Sequence, residues 1–311
     1  MQTYWHDIAI VKAGFFEIAL PTPPLRSPHC IVMLRPWVNV GNVGVNILSR
    51  VASVYGAVEV GRIDRPGRFY DFTRYRPEIK LNKGEREVVV PNSFIMVARR
   101  DAMPDLVLLH MLEPQSHSED FNDSVLEALK LLGVTRYVLV GGMYDSVPHS
   151  RPLLVTGSAR GWEPPPDFAG VRLSKSSYQG PTSMTSQLSE RVRKELGLET
   201  FSVIVHLPLY LKLDDDYQGA ARILRVLSSL YGFSSDLPEM QMGAEQYAQV
   251  TPAMATNPQL QEMVASFEKD YDEQRKKESL ERSAQLPPEI EEFLRGIQLD
   301  AGNEGDASKE G

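Results

Sequence analysis

Three short runs of nearly uninterrupted apolar residues constrain the fold of this chain more than any other feature. They occupy residues 30–34 (CIVML), 106–110 (LVLLH) and 137–140 (YVLV). None alternates apolar with polar residues, so each predicts a strand buried on both faces, as in a mainly parallel sheet. Segments of helical periodicity, such as 44–55 and 118–132, lie between such strands. This order predicts an α/β fold, a three-layer sandwich with a mainly parallel or mixed central sheet.

Further elements follow from the same periodicities and from their turn residues. Additional strands are expected at 15–20, 58–63, 87–91, 94–98, 153–157 and 201–207, and additional helices at 182–196, 216–231 and 257–282. Residues 66–100 depart from the α/β order, because a Lys-Gly turn separates two short strands, and they predict a hairpin beside the main sheet. The expected organisation is an α/β domain over 1–255, a helical extension over 256–298 and a disordered acidic tail over 299–311.

Charge and cysteine content exclude several classes of protein. Residues 256–311 carry 14 of the 41 acidic residues and 7 of the 33 basic ones, so the body is nearly neutral and offers no basic face for nucleic acid. Cys30 is the single cysteine and cannot form an intramolecular disulfide. Neither a run of about 18 apolar residues nor a signal-peptide pattern is present, so no membrane association and a cytoplasmic location are expected. The histidine spacing predicts no metal site.

A glycine turn follows the first apolar run in the sequence PWVNVGNVGVNIL. Asn39, Gly41, Asn42 and Gly44 stand where a strand becomes a helix, and glycine there lets the backbone approach a ligand. The pattern is neither a dinucleotide fingerprint nor a phosphate-binding P-loop. The alternative interpretation is a tight strand–helix turn with close packing.

The segment RFYDFTRYRP interleaves aromatic residues with arginines. Its Phe69, Tyr70, Asp71, Phe72 and Arg76 are of the types that anchor protein interfaces, and an interface is the favoured interpretation. A ligand groove and ordinary packing remain open as alternatives.

Two loops that follow predicted strands complete the candidate cleft. Glu113 and Gln115 follow the strand 106–110, and His149 and Arg151 lie in VPHSRP, after the strand 137–140. The carboxyl edge of an open α/β sheet is where ligands bind. His149 has a side chain suited to general-base catalysis, but the flanking prolines favour a rigid turn that shapes a cleft or an interface.

The stretches PWVNVGNVG, RFYDFTRYRP, DLVLLHMLEPQ, GGMYDSVPHSRPLLVTG, YQGPTS and LPLYL, in this order, make the chain similar to the proteasome assembly chaperone 2 family. The resemblance covers roughly residues 25–235 and identifies the chain as a prokaryotic member. Its most specific parts are Glu113-Pro114, Val147-Pro148-His149, Arg151-Pro152 and Gly180-Pro181. The resemblance implies a phosphorylase/hydrolase-like sandwich that forms a trimer or another homo-oligomer.

Two functions of different class follow. The first is a non-enzymatic, chaperone-like scaffold without cofactors, which associates with itself and with a proteasome-related protein. The second is a small-molecule or nucleotide-dependent enzyme, in line with an ATP-grasp-like carboxylate–amine ligase. ATP and Mg²⁺ would enter only under this second function, with the cleft residues as its site. The sequence shows no complete catalytic constellation and therefore favours the scaffold.

Overall fold

The computed structural model describes residues 10–82, 84–165, 168–173, 183–234 and 236–284. Contacts divide the chain after Thr256 into two compact units. The first unit holds a ten-stranded mixed sheet covered by helices on both faces, which confirms the three-layer α/β fold. The described part of the second unit is a single long helix, as the periodicity of 257–282 predicts.

The secondary structure agrees with most of the predicted elements and adds several short ones. The strands are β1 (Ile10–Ala13), β2 (Phe16–Ala19), β3 (His29–Arg35), β4 (Val58–Ile63), β5 (Glu78–Asn82), β6 (Glu85–Val89), β7 (Phe94–Ala98), β8 (Leu106–Leu112), β9 (Arg136–Asp145), β10 (Val155–Arg160), β11 (Arg172–Leu173) and β12 (Glu199–Pro208). The helices are α1 (Val43–Tyr55), α2 (Ser118–Leu131), α3 (Met184–Leu196), α4 (Tyr217–Tyr231), α5 (Pro238–Ala248), α6 (Val250–Met254) and α7 (Pro258–Ala284).

The large sheet has a parallel centre and mostly antiparallel flanks. Its strand order is β1-β2-β4-β7-β8-β3-β9-β12-β10-β11. The four central strands β8, β3, β9 and β12 run parallel, whereas β7, β4, β2 and β1 on one side and β10 on the other pair antiparallel. The carboxyl ends of β8, β3, β9 and β12 therefore meet at one edge, where the predicted cleft loops lie.

The core occupies both faces of this sheet, which explains the uninterrupted apolar runs. Phe201, Val203 and Val205 of β12 pack on the face covered by α1 and α4. Tyr137 of β9 and Leu188 of α3 belong to the cluster on the opposite face, beneath α2 and α3. Burial of both faces is what the continuous hydrophobicity of β3, β8 and β9 predicts.

The predicted hairpin beside the main sheet is the separate pair β5–β6, and Gly84 adopts a positive φ in its turn. The described residues contain no helix long and apolar enough to cross a bilayer. Three expected features lie outside the described residues: the part of the helical extension after residue 284, the tail 299–311 and the Gly180-Pro181 pair.

Candidate functional site

The glycine turn after β3 is packed against the start of α4. Gly41 has φ +58°, and a Cβ there would lie 2.7 Å from the Cβ of Asp216. The Gly41 carbonyl accepts a 2.8 Å hydrogen bond from the Asp216 amide. The space beside Gly41 is thus filled by another part of the chain, and the glycine is required by that approach and by the left-handed backbone.

Asn39 and Gly44 serve the same turn. The Asn39 side-chain oxygen accepts a 3.2 Å hydrogen bond from the Val45 amide, and a Cβ on Gly44 would come within 2.9 Å of that oxygen. Asn39 is buried, whereas Asn42 is exposed in a left-handed conformation. These contacts favour the strand–helix turn among the two interpretations of this segment.

Asp216 is a buried carboxylate that joins three elements. Its Oδ1 accepts a 2.7 Å bond from the Gly219 amide and caps α4, and its Oδ2 accepts a 2.8 Å bond from the Tyr247 hydroxyl of α5. Burial raises the pKa of this carboxyl, although the bonds from Gly219 and Tyr247 favour its charged form. Sequence reasoning missed this role, for which the N-cap position in DDDYQGA is the available signal.

The predicted interface segment lies over the loop that carries Glu113 and Gln115. The Gln115 amide donates to the Phe69 carbonyl at 2.9 Å, and its side-chain oxygen accepts from the Asp71 amide at 2.9 Å. The Tyr75 hydroxyl donates to the Glu113 carbonyl at 3.2 Å. The two sites that the sequence suggests separately are therefore one structural unit.

The residues of the predicted interface segment differ in their exposure to solvent. Phe69 and Tyr70 are buried, and Phe69 packs edge-on against Phe121 of α2, so their side chains serve the core of this chain rather than a surface. Asp71 is exposed and accepts bonds from the amide and hydroxyl of Thr73, which hold the pKa of its carboxyl below the usual range. Phe72 is half-buried and Arg76 is exposed, and these two with Asp71 remain on the surface.

His149 is held by hydrogen bonds on both ring nitrogens. Its backbone amide donates to the Tyr210 hydroxyl at 2.8 Å, and Nδ1 lies 2.7 Å from the same oxygen. The second ring nitrogen, Nε2, lies 3.0 Å from Thr251 Oγ1. His149 thus links the β9–β10 loop to the β12–α4 loop and to α6. Arg151 is half-buried in the same loop.

The predicted cleft residues therefore fall into different surroundings. Glu113 and Gln115 contact the segment from Phe69 to Tyr75, whereas His149 contacts Tyr210 and Thr251. In the sheet, β3 lies between β8 and β9, the strands that lead into these two loops. Within the described residues, no group of three metal-ligating side chains is present.

A further polar group at the carboxyl edge escaped sequence reasoning. His206 of β12 lies with Nδ1 2.7 Å from Asp145 Oδ2 and with Nε2 2.9 Å from Thr156 Oγ1. The three residues come from β9, β12 and β10, which are neighbours in the sheet. The interruption of the apolar run FSVIVHLP by a histidine is the signal that was available.

The comparisons with known proteins agree with this architecture. The model of the PAC2 family matches residues 33–255. The chain belongs to the PAC2 family. This confirms the resemblance that the sequence motifs indicate. A search of curated proteins gave no match.

Solved structures show the same PAC2 fold. A Mycobacterium tuberculosis protein of unknown function is 21% identical, with TM-score 0.73, and the match covers 88% of this chain and 93% of that one. A proteasome-assembly chaperone homologue from M. tuberculosis is 20% identical, with TM-score 0.64, over 76% and 99% of the two chains. An archaeal proteasome activator from Pyrococcus furiosus is 14% identical, with TM-score 0.56, over 80% and 97%. At these identities the likeness concerns the fold.

Proposed function

We propose that the protein is a self-associating, chaperone-like scaffold that binds a proteasome-related partner in the cytoplasm. This role requires protein contacts and uses neither a cofactor nor turnover. Family membership and the named roles of the M. tuberculosis and Pyrococcus relatives support the chaperone-like character. The single observation that carries the proposal is the exposed apolar face of the β5–β6 hairpin.

The hairpin is amphipathic. Ile79 lies directly opposite Val88, and Leu81 lies opposite Arg86, so these side chains share one face. Ile79, Leu81 and Val88 are 58%, 76% and 62% exposed. The opposite face presents Glu78 and its charged neighbours Lys80, Glu85 and Glu87, of which Lys80 and Glu87 form a cross-strand pair.

An apolar hairpin face of this kind favours a contact with another protein surface. A two-stranded hairpin that packs on nothing is marginally stable in water. Contiguous exposed apolar residues with a polar rim mark interaction sites in soluble proteins. A second copy of the chain is the first occupant to test, because the purified protein alone suffices.

The experiment compares two neighbouring substitutions on opposite hairpin faces. Leu81→Asp places a charge on the apolar face, and Lys80→Asp changes the charged face at the same depth in the hairpin. Loss of one buried leucine and burial of a carboxylate together weaken association by about 3 kcal/mol, roughly 100-fold. Sedimentation velocity should show an oligomer for the wild type and Lys80→Asp, and a monomer for Leu81→Asp.

Other results refute parts of the proposal. A wild-type protein that stays monomeric at tens of micromolar contradicts self-association, and an oligomer that persists in Leu81→Asp contradicts the hairpin contact. The partner is tested by affinity capture from the source cells with the tagged full chain. Stoichiometric recovery of proteasome subunits supports the proteasome link, and their absence contradicts it.

A further inference from the structure

Asp145, His206 and Thr156 form a hydrogen-bonded row across three adjacent strands. Asp145 is the last residue of β9, His206 lies near the end of β12, and Thr156 is the second residue of β10. The Asp145 Oδ2 to His206 Nδ1 distance is 2.7 Å, and the His206 Nε2 to Thr156 Oγ1 distance is 2.9 Å. The row stands at the carboxyl edge of the parallel strands, where α/β folds bind ligands.

The two bonds suit one particular pattern of proton donation. With Asp145 as a carboxylate and His206 as a neutral imidazole, His206 Nδ1–H donates to Asp145 Oδ2. In that tautomer the His206 Nε2 lone pair accepts from the Thr156 hydroxyl. This is the arrangement of a nucleophile, a general base and an orienting carboxylate.

The row is reachable from solvent and lies next to residues that line a cavity. The Asp145 side chain is 42% exposed and Thr156 is partly exposed. Ser158 lies two residues after Thr156 on the same face of β10, and Ile204 lies two residues before His206 on the same face of β12. Together with Trp37, these two residues line a cavity of about 320 Å³. The row therefore borders a cavity lined by hydroxyl and apolar side chains and by the charged residues Arg160 and Glu190.

Two cross-strand neighbours complete the surroundings of the row. Met143 of β9 lies in register beside His206 and is 42% exposed, so it adds apolar surface next to the histidine. Arg172 of β11 lies in parallel register beside Thr156, which places its side chain on the same face. Arg172 brings a positive charge to this face, the sign that favours the oxyanion formed on the carbonyl oxygen of a bound ester.

We propose that Asp145, His206 and Thr156 catalyse acyl transfer from small esters with a short apolar acyl group. Thr156 Oγ bonds to the ester carbonyl carbon while its proton moves to His206 Nε2. The carbon–oxygen bond to the alcohol then breaks, and the alkoxide takes that proton and leaves as the alcohol. Water then attacks the carbonyl carbon of the acyl-threonine while its proton moves to His206 Nε2. The carbon–oxygen bond to Thr156 breaks, Thr156 Oγ takes that proton, and the carboxylic acid is released.

This activity goes beyond the scaffold role and does not depend on it. The scaffold contact uses the β5–β6 hairpin, and the row lies at the carboxyl edge of the large sheet. Variants of the hairpin therefore test one proposal, and variants of the row test the other.

The test measures hydrolysis of p-nitrophenyl butyrate by the purified full chain. Thr156→Val is nearly isosteric and removes the nucleophile, and His206→Gln removes the base, so each should lower kcat/KM about 100-fold or more. Thr156→Ser keeps the hydroxyl and should stay within roughly tenfold of the wild type. Lys80→Asp, on the charged hairpin face, is the control and should hydrolyse the ester at the wild-type rate.

Labelling provides a second readout that loss of stability does not imitate. A fluorophosphonate probe should modify Thr156 in the wild type and the serine of Thr156→Ser, as located by peptide mass spectrometry. Wild-type protein that neither hydrolyses the ester nor takes up the probe overturns the proposal. So does wild-type turnover by folded His206→Gln, or a label on another residue. If Thr156→Val fails to fold, His206→Gln and the position of the label decide.

Discussion

The carboxylate of Asp216 provides the sharpest test of how the glycine turn is held. Asp216→Ala removes the cap of α4 and leaves the buried Tyr247 hydroxyl without its acceptor. Loss of such a cap costs about 0.5–2 kcal/mol, and an unsatisfied buried hydroxyl costs about 1–3 kcal/mol. We therefore expect Asp216→Ala to lower the free energy of unfolding by about 2–4 kcal/mol, measured by urea denaturation.

Asp216→Asn separates the hydrogen bonds from the charge. The amide oxygen still accepts from Gly219, and the amide nitrogen can donate to the Tyr247 oxygen, so the expected loss at pH 7 is about 1 kcal/mol or less. Because burial raises the pKa of Asp216, its contribution is greatest below the unfolded-state pKa and declines as pH rises through the folded-state pKa. The wild type should therefore exceed Asp216→Asn by more at pH 3.5 than at pH 7.

The control for this experiment is Asp214→Asn, a neighbouring exposed aspartate, which should change stability by less than about 0.5 kcal/mol. An Asp216→Asn loss equal to that of Asp216→Ala would refute the reasoning. A wild-type advantage that grows from pH 3.5 to pH 7 would refute the sign of the electrostatic contribution.

Three further predictions concern the core. Burial alone would raise the pKa of Asp105, but hydrogen bonds from Arg26 outweigh burial and lower the pKa to about 2. The lowered pKa adds roughly 2 kcal/mol to the free energy of unfolding above pH 4, and this contribution is lost as pH falls toward 2. Asp105→Asn should therefore flatten that part of an acid-unfolding curve. Gly141→Ala would put a Cβ 2.1 Å from the Val38 carbonyl oxygen, and thermal unfolding should show a loss of about 3 kcal/mol or more, or no folded protein. Burial raises the pKa of the Cys30 thiol, so a thiol reagent should react with Cys30 only in denaturant, and rapid reaction of the native protein would contradict its burial.

The central strands of the sheet were predictable because the residues of each strand alone indicate its burial. Each of the strands β3, β8 and β9 is buried on both faces, and that burial requires a continuous apolar run that can be read without knowing the neighbours. The outermost strands carry no such signal: β1 has four residues and β11 has two, too few to display a period. The helices α5 and α6 were missed because little in their sequences separates them from a loop.

The candidate site was predictable in its location and not in its contacts. Loops at the carboxyl edge follow from the strand order, but the occupant of the space beside Gly41 is Asp216, 175 positions away in the chain. The residue types of Phe69 and Tyr70 likewise predict that they pack against other residues, but they do not show that these side chains face the core of this chain. In the Asp145–His206–Thr156 row, His206 is 61 positions from Asp145 and 50 positions from Thr156. Strand pairing brings the three residues together, and no spacing in the sequence reveals the row.

The position of β3 in the middle of the sheet has a consequence for synthesis on the ribosome. β3 pairs with β8, which begins about 70 residues later, and with β9, which begins about 100 residues later. Until both have been translated, β3 has at least one open edge, and such edges recruit strands of other chains. A nascent chain of this protein is thus expected to bind holding chaperones until β9 has been translated. Strand pairing over such distances also makes folding slow once the chain is released.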